Sequence, residues 1–207
     1  MIVDKYKEIK SRTKGFYKEK GSKFISYAFP VYSEEQIKKN LVHIKKTEHA
    51  ARHFCYAYVL NKDKAIQRTN DDGEPSSTAG KPILGQILSN DLTNILIIVT
   101  RYFGGVKLGA SGLINAYKTA SADAISQANI IKKTIKVEYE VIFKYDKIND
   151  VMRIIKEYRL DIIYKNFNTE SKIIFGVSKN NIDAVLNTFK KDHTLIINPI
   201  KKSNAIT

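Results

Sequence analysis

The sequence has one cysteine, no tryptophan and only four prolines among its 207 residues. A single cysteine, Cys55, forms no intramolecular disulfide, which excludes a disulfide-stapled scaffold and favours a reducing compartment. Four prolines and ten glycines exclude a low-complexity or collagen-like chain. The most apolar run, residues 95–99, is far shorter than the roughly 20 residues that a membrane-spanning helix needs. Because charged residues near the amino terminus replace the apolar stretch of a signal peptide, the sequence predicts a cytoplasmic protein with no membrane partner.

Acidic residues are scarce relative to basic ones. The chain has 35 Lys and Arg against 21 Asp and Glu, a formal net charge of +14 and a pI near 9.6. Residues 1–133 have 22 basic and 12 acidic side chains, so most of the excess lies there. Such a surface attracts polyanions, and nucleic acid is the commonest cytoplasmic one. The alternative, that lysine only improves solubility, accounts for the same composition.

Hydrophobic periodicity predicts mixed α and β structure in the first two-thirds of the chain. Ser33 is expected to cap a helix, with Gln36 at the capping-box position. A polar loop at 71–82 and a glycine-rich loop at 101–112 interrupt the pattern. The predicted strands are 6–17, 22–31, 53–60, 65–69 and 94–100. The predicted helices are 34–47, 82–88 and 113–128.

From Thr134 the pattern changes, with apolar residues alternating from Ile135 to Phe143 as in a half-buried strand. A helix, two strands, a second helix and a last strand follow. The order βαββαβ is typical of the split βαβ, ferredoxin-like fold. We therefore expect two domains, residues 1–132 and 133–207, joined by the short basic stretch Lys132-Lys133.

The loop RYFGGVKLGASG, residues 101–112, follows a predicted buried strand and precedes a helix. Backbone amides and a helix N-terminus in such a loop can bind an anion, and Arg101 and Lys107 would add charge. The alternative is that the glycines serve only a tight crossover and close packing, since their spacing matches neither the dinucleotide fingerprint nor the phosphate loop. The glycines are Gly104, Gly105, Gly109 and Gly112.

The loop DDGEPSSTAGKP, residues 71–82, has three carboxylates in four positions, Asp71, Asp72 and Glu74. Their spacing is not that of a calcium loop, and a solvated turn whose side chains bond their own backbone accounts for them better. His49 and His53 lack the glutamate of the zinc-protease motif, and an apolar strand makes Cys55 a core thiol rather than a nucleophile. We therefore predict no metal, no cofactor and no assigned catalytic residue.

Three segments together resemble the IMPACT/YigZ family. They are ARHFCYAY (51–58), DDGEPSSTAGKPIL (71–84) and VTRYFGGVKLGASGLINAY (99–117), and GSKF at 21–24 also fits. The resemblance covers residues 1 to about 130, and the tail is similar to the C-terminal domain of bacterial YigZ-type members. The sequence departs from the family at Ser77, where glycine is common, and at Ala110-Ser111, where Thr-Gly is common.

The resemblance implies an α+β protein whose first domain is like domain IV of elongation factor G, a fold shared with the second domain of a ribosomal protein. It implies a second domain like the ferredoxin-like domain V of that factor. Eukaryotic relatives regulate translation by binding protein rather than by catalysis. We therefore predict a non-enzymatic, translation-linked protein that contacts RNA, the ribosome or a ribosome-associated protein.

The alternative hypothesis is an enzyme that acts on a small phosphorylated or acyl substrate between the two loops. It requires a histidine within hydrogen-bond reach of a carboxylate in a concave pocket. In either case we expect the functional surface where the loops meet. In a binding protein, Arg101 and Lys107 would pair with phosphates, and Asp72 and Glu74 would orient Arg101 or His53 by hydrogen bonds. The predicted binding residues are His53, Asp71, Asp72, Gly73, Glu74, Ser76, Lys81, Arg101, Tyr102, Gly104, Gly105, Lys107, Gly109 and Gly112.

Overall fold

The structure, a computed structural model, describes residues 5–168 and 170–200. These residues form two compact units. The first is Tyr6–Lys133, and the second has the described residues from Thr134 onward together with Lys5. In this part of the chain, none of the helices has the length and apolar character needed to cross a membrane.

The first unit is built around a five-stranded sheet of order β2-β3-β6-β4-β5, and its neighbouring strands are all antiparallel. The central strand β6 is buried over its first seven residues because helices cover both faces of the sheet. The strands are β2 (Thr13–Glu19), β3 (Ser22–Pro30), β4 (His53–Leu60), β5 (Ile66–Asn70) and β6 (Ile95–Tyr102).

Three helices complete the layers: α1 (Glu34–Thr47) packs on one face, and α2 (Gly80–Ser89) and α3 (Gly109–Ser126) pack on the other. The predicted cap of α1 is confirmed, since the Gln36 amide donates to Ser33 Oγ at 3.3 Å. Both α2 and α3 begin earlier than the periodicity indicated. Gly109 and Gly112 are therefore helical residues rather than loop residues.

The prediction of one strand over 6–17 is wrong. The segment forms two strands, β1 (Lys5–Ile9) and β2, which belong to different sheets. β1 pairs with β7 (Ile130–Thr134), the stretch that the sequence indicated as a linker. Lys133 of β7 forms an ion pair with the buried carboxylate of Glu8, which ties the end of this unit to its beginning.

The second unit has a four-stranded antiparallel sheet of order β11-β8-β10-β9. The predicted element order, strand-helix-strand-strand-helix-strand, is confirmed. Alternate residues of β8, among them Val141 and Phe143, pack with Val151 of α4 and Phe189 of α5 in one core. The elements are β8 (Lys136–Phe143), α4 (Ile148–Glu157), β9 (Asp161–Phe167), β10 (Ser171–Ser178), α5 (Ile182–Lys190) and β11 (Ile196–Pro199). The described residues thus form a mixed α and β protein, as predicted, and its four- and five-stranded sheets are antiparallel.

Candidate functional site

A cleft of about 540 Å³ opens in the first unit, where β6 ends and β4 begins. Its floor comes from the sheet, one wall from the polar loop before α2, and the other from the loop between β6 and α3. The lining residues are Arg52, His53, Glu74, Pro75, Arg101, Phe103, Lys107, Leu108, Gly109, Ala110 and Leu113.

Strand periodicity explains why the floor is polar at one end. His53 lies opposite Arg101 in the β4–β6 ladder, and Phe24 lies opposite Arg101 on the other side. Successive side chains of a strand alternate between faces, so Arg101 shares the α2/α3 face with Val99 and Ile97, which are core residues. Arg101 is the residue at which this buried row becomes charged.

Arg101 is held by Glu74. Its Nη1 donates to both carboxylate oxygens, at 2.7 and 2.9 Å, and the two side chains are 8% and 3% exposed. The guanidinium also lies 5.6 Å from the ring centre of Phe24 and 5.7 Å from that of Phe103. Its Nε is buried and has no hydrogen-bond partner among the described residues. Glu74 thus orients the Arg101 guanidinium and compensates its charge.

A chain of buried polar groups extends from this pair into the core. Tyr117 Oη donates to Glu74 Oε1 at 2.8 Å. Cys55 Sγ lies 3.3 Å from Tyr117 Oη and 2.9 Å from the carbonyl oxygen of Asp71. Burial raises the pKa of the Cys55 thiol and that of the Tyr117 hydroxyl. Cys55 is fully buried and stays protonated at neutral pH, so its chemistry is that of a core thiol.

Asp71 organises the polar loop. Its carboxylate accepts hydrogen bonds from the amides of Gly80 (2.8 Å), Ser77 (2.9 Å) and Ala79 (3.0 Å). Burial alone would raise the pKa of Asp71, but these amides stabilise the charged form and the net pKa is lowered. Asp71 thus caps the N-terminus of α2, whose own N-cap residue Ala79 has no capping side chain.

Asp72 and His53 fasten the loop to β4. The Asp72 carboxylate accepts from the Phe54 amide at 2.7 Å, and the Asp72 carbonyl oxygen lies 2.8 Å from His53 Nδ1. Because a carbonyl only accepts, Nδ1 carries the proton in the neutral ring. Among the described residues no carboxylate hydrogen-bonds to His53, so the histidine–carboxylate pair that the catalytic hypothesis requires is not formed there.

Exposed cations surround the mouth of the cleft. Arg52 and Lys107 are exposed, and the Arg52 guanidinium lies 5.9 Å from the ring centre of Phe103, a side chain 44% exposed. α3 begins at Gly109 behind this rim, and its N-cap Leu108 has no capping side chain. Cations, an exposed ring and a helix N-terminus therefore meet in one place.

Five of the fourteen predicted residues line the cleft: His53, Glu74, Arg101, Lys107 and Gly109. Tyr102 does not, because it points to the opposite face of the sheet, where its hydroxyl donates to Glu48 and its pKa is raised to about 12, chiefly by that hydrogen bond. Ser76 and Lys81 are exposed outside the cleft. The other predicted residues not among its lining are Asp71, Asp72, Gly73, Gly104, Gly105 and Gly112.

At Gly104 the structure supports the close-packing alternative given for the glycines of this loop. A Cβ there would lie 1.9 Å from the carbonyl carbon of Gly21 and 2.1 Å from the amide nitrogen of Ser22. The Gly104 amide also donates to Ser22 Oγ at 3.1 Å. The glycine therefore allows two backbones to touch and packs the loop against the β2–β3 turn.

The sequence reasoning missed six lining residues: Arg52, Pro75, Phe103, Leu108, Ala110 and Leu113. Phe103 was accessible to it, because a residue two positions after Arg101 on an extended chain points the same way. Arg52 precedes His53 directly, and no motif or spacing in the sequence distinguishes it from the other arginines and lysines of this unit. Within the described ranges, no three His, Cys, Asp or Glu side chains are grouped as a metal site requires.

Comparison with known proteins shows which family the chain is related to. Residues 20–125 match the Impact N-terminal domain. The chain is 34% identical over 171 residues to an IMPACT family member of Haemophilus influenzae, an alignment that covers 80% of this chain and 81% of that protein. It is 40% identical over 114 residues to IMPACT family member YvyE of Bacillus subtilis, which covers 55% of this chain and only 52% of that protein.

A solved structure described as a hypothetical protein superposes with a TM-score of 0.73 at 23% identity, over 98% of this chain and 100% of that one. The likeness extends the shared fold across both units. Since the family domain spans about half of the chain and the Haemophilus relative aligns over most of both proteins, this protein belongs to the IMPACT family.

Proposed function

We propose that this protein is a translation-linked binding protein whose first unit contacts RNA at the rim of the cleft. The observation that carries the proposal is the exposed ring of Phe103 beside the exposed cations Arg52 and Lys107. Single-stranded nucleic acid is bound by this combination, because cations pair with phosphates and bases stack on the ring. Arg101 acts here as a positioning residue, fixed by Glu74 below the ring.

The charge of the first unit supports the same partner. Residues 1–133 have a net charge of +10, so a polyanion is attracted to this unit over distances longer than a direct contact. The link to translation comes from the family resemblance, in which eukaryotic members regulate translation. The alternative partner is a ribosome-associated protein. Binding of such a protein would not depend on bases stacking on the Phe103 ring.

We also propose the finer fold assignments that the resemblance implies. The second unit has the strand order β11-β8-β10-β9 with the sequence β8-α4-β9-β10-α5-β11, which supports a ferredoxin-like domain. The first unit would then correspond to domain IV of elongation factor G. Both assignments are consistent with a protein that faces the ribosome.

Fluorescence anisotropy of labelled transfer-RNA and ribosomal-RNA fragments, titrated across a salt series with an unrelated RNA as control, tests the proposal. We expect log K to fall linearly with log salt. We expect Arg52→Ala and Lys107→Ala to weaken binding, while Lys62→Ala, an exposed lysine at the far end of β4, leaves it unchanged. Equal effects of all three variants would contradict the site, and no binding at low salt would contradict RNA as the partner.

A further inference from the structure

We propose that the cleft binds the phosphate monoester of a nucleotide, seated between the N-terminus of α3 and Arg101. The site differs in kind from the RNA-contacting rim, because it takes a terminal phosphate rather than the phosphodiesters along a chain. Where the nucleotide is the end of an RNA, the inference rests on the proposed function. Where it is a free nucleotide, the inference stands by itself.

The first observation is the open N-terminus of α3, an 18-residue helix. The N-cap residue Leu108 has no capping side chain, and Gly109 and Ala110 line the cleft. Of the other helices in this unit, α1 has Ser33 as its cap and α2 is capped by Asp71. The first amides of a helix need acceptors and carry partial positive charge, so an anion in the cleft satisfies them.

The second observation is independent of the helix. Arg101 lines the same cleft, is 6% exposed, and has a buried Nε without a hydrogen-bond partner among the described residues. Buried donors are almost always satisfied, and Glu74 meets only Nη1. Because Nε has almost no accessible surface, a phosphate oxygen that accepts from it has to displace neighbouring side chains, while Nη1 keeps its bonds to Glu74.

Charge and shape favour a monoester. The lining has three cations, Arg52, Arg101 and Lys107, against the single carboxylate of Glu74. A terminal phosphate has a charge of about −1.5 to −2 at pH 7, close to the excess of two, whereas an internal phosphodiester has one. The cleft has walls on both sides of its floor, which leaves room for the end of a nucleic-acid chain. Its volume of about 540 Å³ is enough for one nucleoside. The base of that nucleoside would stack on Phe103.

The test compares three RNAs of one sequence, with a 5′-phosphate, with a 3′-phosphate, and with hydroxyl groups at both ends. Adenosine monophosphate and adenosine serve as competitors. We expect one phosphorylated RNA to bind at least about tenfold more tightly than the hydroxyl form, since an ionised partner strengthens each hydrogen bond. We expect adenosine monophosphate to compete with it and adenosine to have no effect.

Ala110→Asp is the decisive variant. A carboxylate in the first turn is favourable to the helix but occupies and repels the proposed phosphate, so we expect the preference to disappear while thermal stability is kept. Lys118→Ala, exposed on the same helix and with the same change in net charge, is the matched control and should retain the preference. Thermal unfolding of both variants checks that they fold.

The outcomes separate the two proposals. RNA binding without any preference for a phosphorylated end overturns the phosphate site and leaves the proposed function standing. Binding of adenosine monophosphate that Ala110→Asp abolishes, without RNA binding, supports the site with a free nucleotide as its ligand and contradicts the proposed function. Loss of the preference in both Lys118→Ala and Ala110→Asp contradicts the proposed phosphate site, because the preference would then depend on net charge alone.

Discussion

Arg101 and Glu74 form a buried ion pair in which one guanidinium nitrogen donates to both carboxylate oxygens, at 2.7 and 2.9 Å. The pair joins the end of β6 to the loop before α2, and Tyr117 of α3 donates to the same carboxylate. Three elements that surround the cleft thus share one charged centre. The cations of the cleft whose charge this carboxylate does not compensate are therefore those on the rim, Arg52 and Lys107.

Removing one member of this pair should be costly. Glu74→Ala leaves the buried guanidinium uncompensated, and we expect the free energy of unfolding to fall by about 3–5 kcal/mol. Urea unfolding measures the change. Lys7→Ala removes one ionic partner of Asp91 in an exposed pair, and we expect a loss of about 0–1 kcal/mol there. Similar losses in the two variants would show that the buried pair is not a structural centre.

Asp71 should make stability depend on pH in the acid range. Its pKa is lowered below the ordinary value of 3.8 by three amide hydrogen bonds. A carboxyl with a lowered folded-state pKa contributes stability that is complete above the unfolded-state value and is lost as pH falls through the folded-state value. We therefore expect unfolding free energy to decrease below about pH 4, and Asp71→Asn to weaken that decrease.

The same variant has a cost at neutral pH, where the carboxylate is fully charged. We expect Asp71→Asn to lower stability by about 1–2 kcal/mol, since a charge-assisted cap becomes a neutral one. Urea unfolding at pH 3, 4, 5 and 7 measures both effects. An acid dependence identical to that of the parent protein would contradict the role given to Asp71.

Two glycines should respond oppositely to alanine. At Gly104 a Cβ would lie 1.9 Å from backbone of Gly21, and we expect Gly104→Ala to lower stability by about 1–3 kcal/mol or more. At Gly85, inside α2, a Cβ has no atom within 4 Å, and we expect Gly85→Ala to raise stability by about 1 kcal/mol. Differential scanning calorimetry of the two variants compares them. A tolerated Gly104→Ala would mean that the two backbones separate easily.

The elements with strong periodicity were predictable. Apolar alternation located β8, the continuous apolar run located β6, and a capping residue located the start of α1. The division of 6–17 was missed, because β1 and β2 both contain apolar and aromatic residues and no glycine or proline separates them. β1 pairs with β7, which lies more than a hundred residues later in the chain. Local sequence patterns do not predict such a long-range pairing.

The two loops of the candidate site were predicted, and hydrogen bonds from Asp72 or Glu74 to Arg101 or His53 were expected without a choice among the pairs. Glycine-rich and acidic stretches identified the two loops that form the cleft walls. Whether Arg101 faces solvent or Glu74 depends on how the loops fold over the sheet, which spacing does not determine. Ser77 is one example, because its φ of +65° lies in the left-handed region that favours glycine, and the local sequence does not predict that conformation for a serine.

The proposed RNA contact predicts two different responses at the rim. Phe103→Ala removes a stacking ring but no charge, so we expect affinity to fall by about 1–3 kcal/mol with an unchanged salt slope. Lys107→Ala removes one phosphate contact, so we expect the slope of log K against log salt to decrease by about 0.7. Phe16→Ala, at another exposed aromatic residue, on β2, should change neither quantity. Anisotropy titrations at four salt concentrations distinguish the two effects, and a changed slope in Phe103→Ala would show that the ring only positions the cations and does not stack on a base.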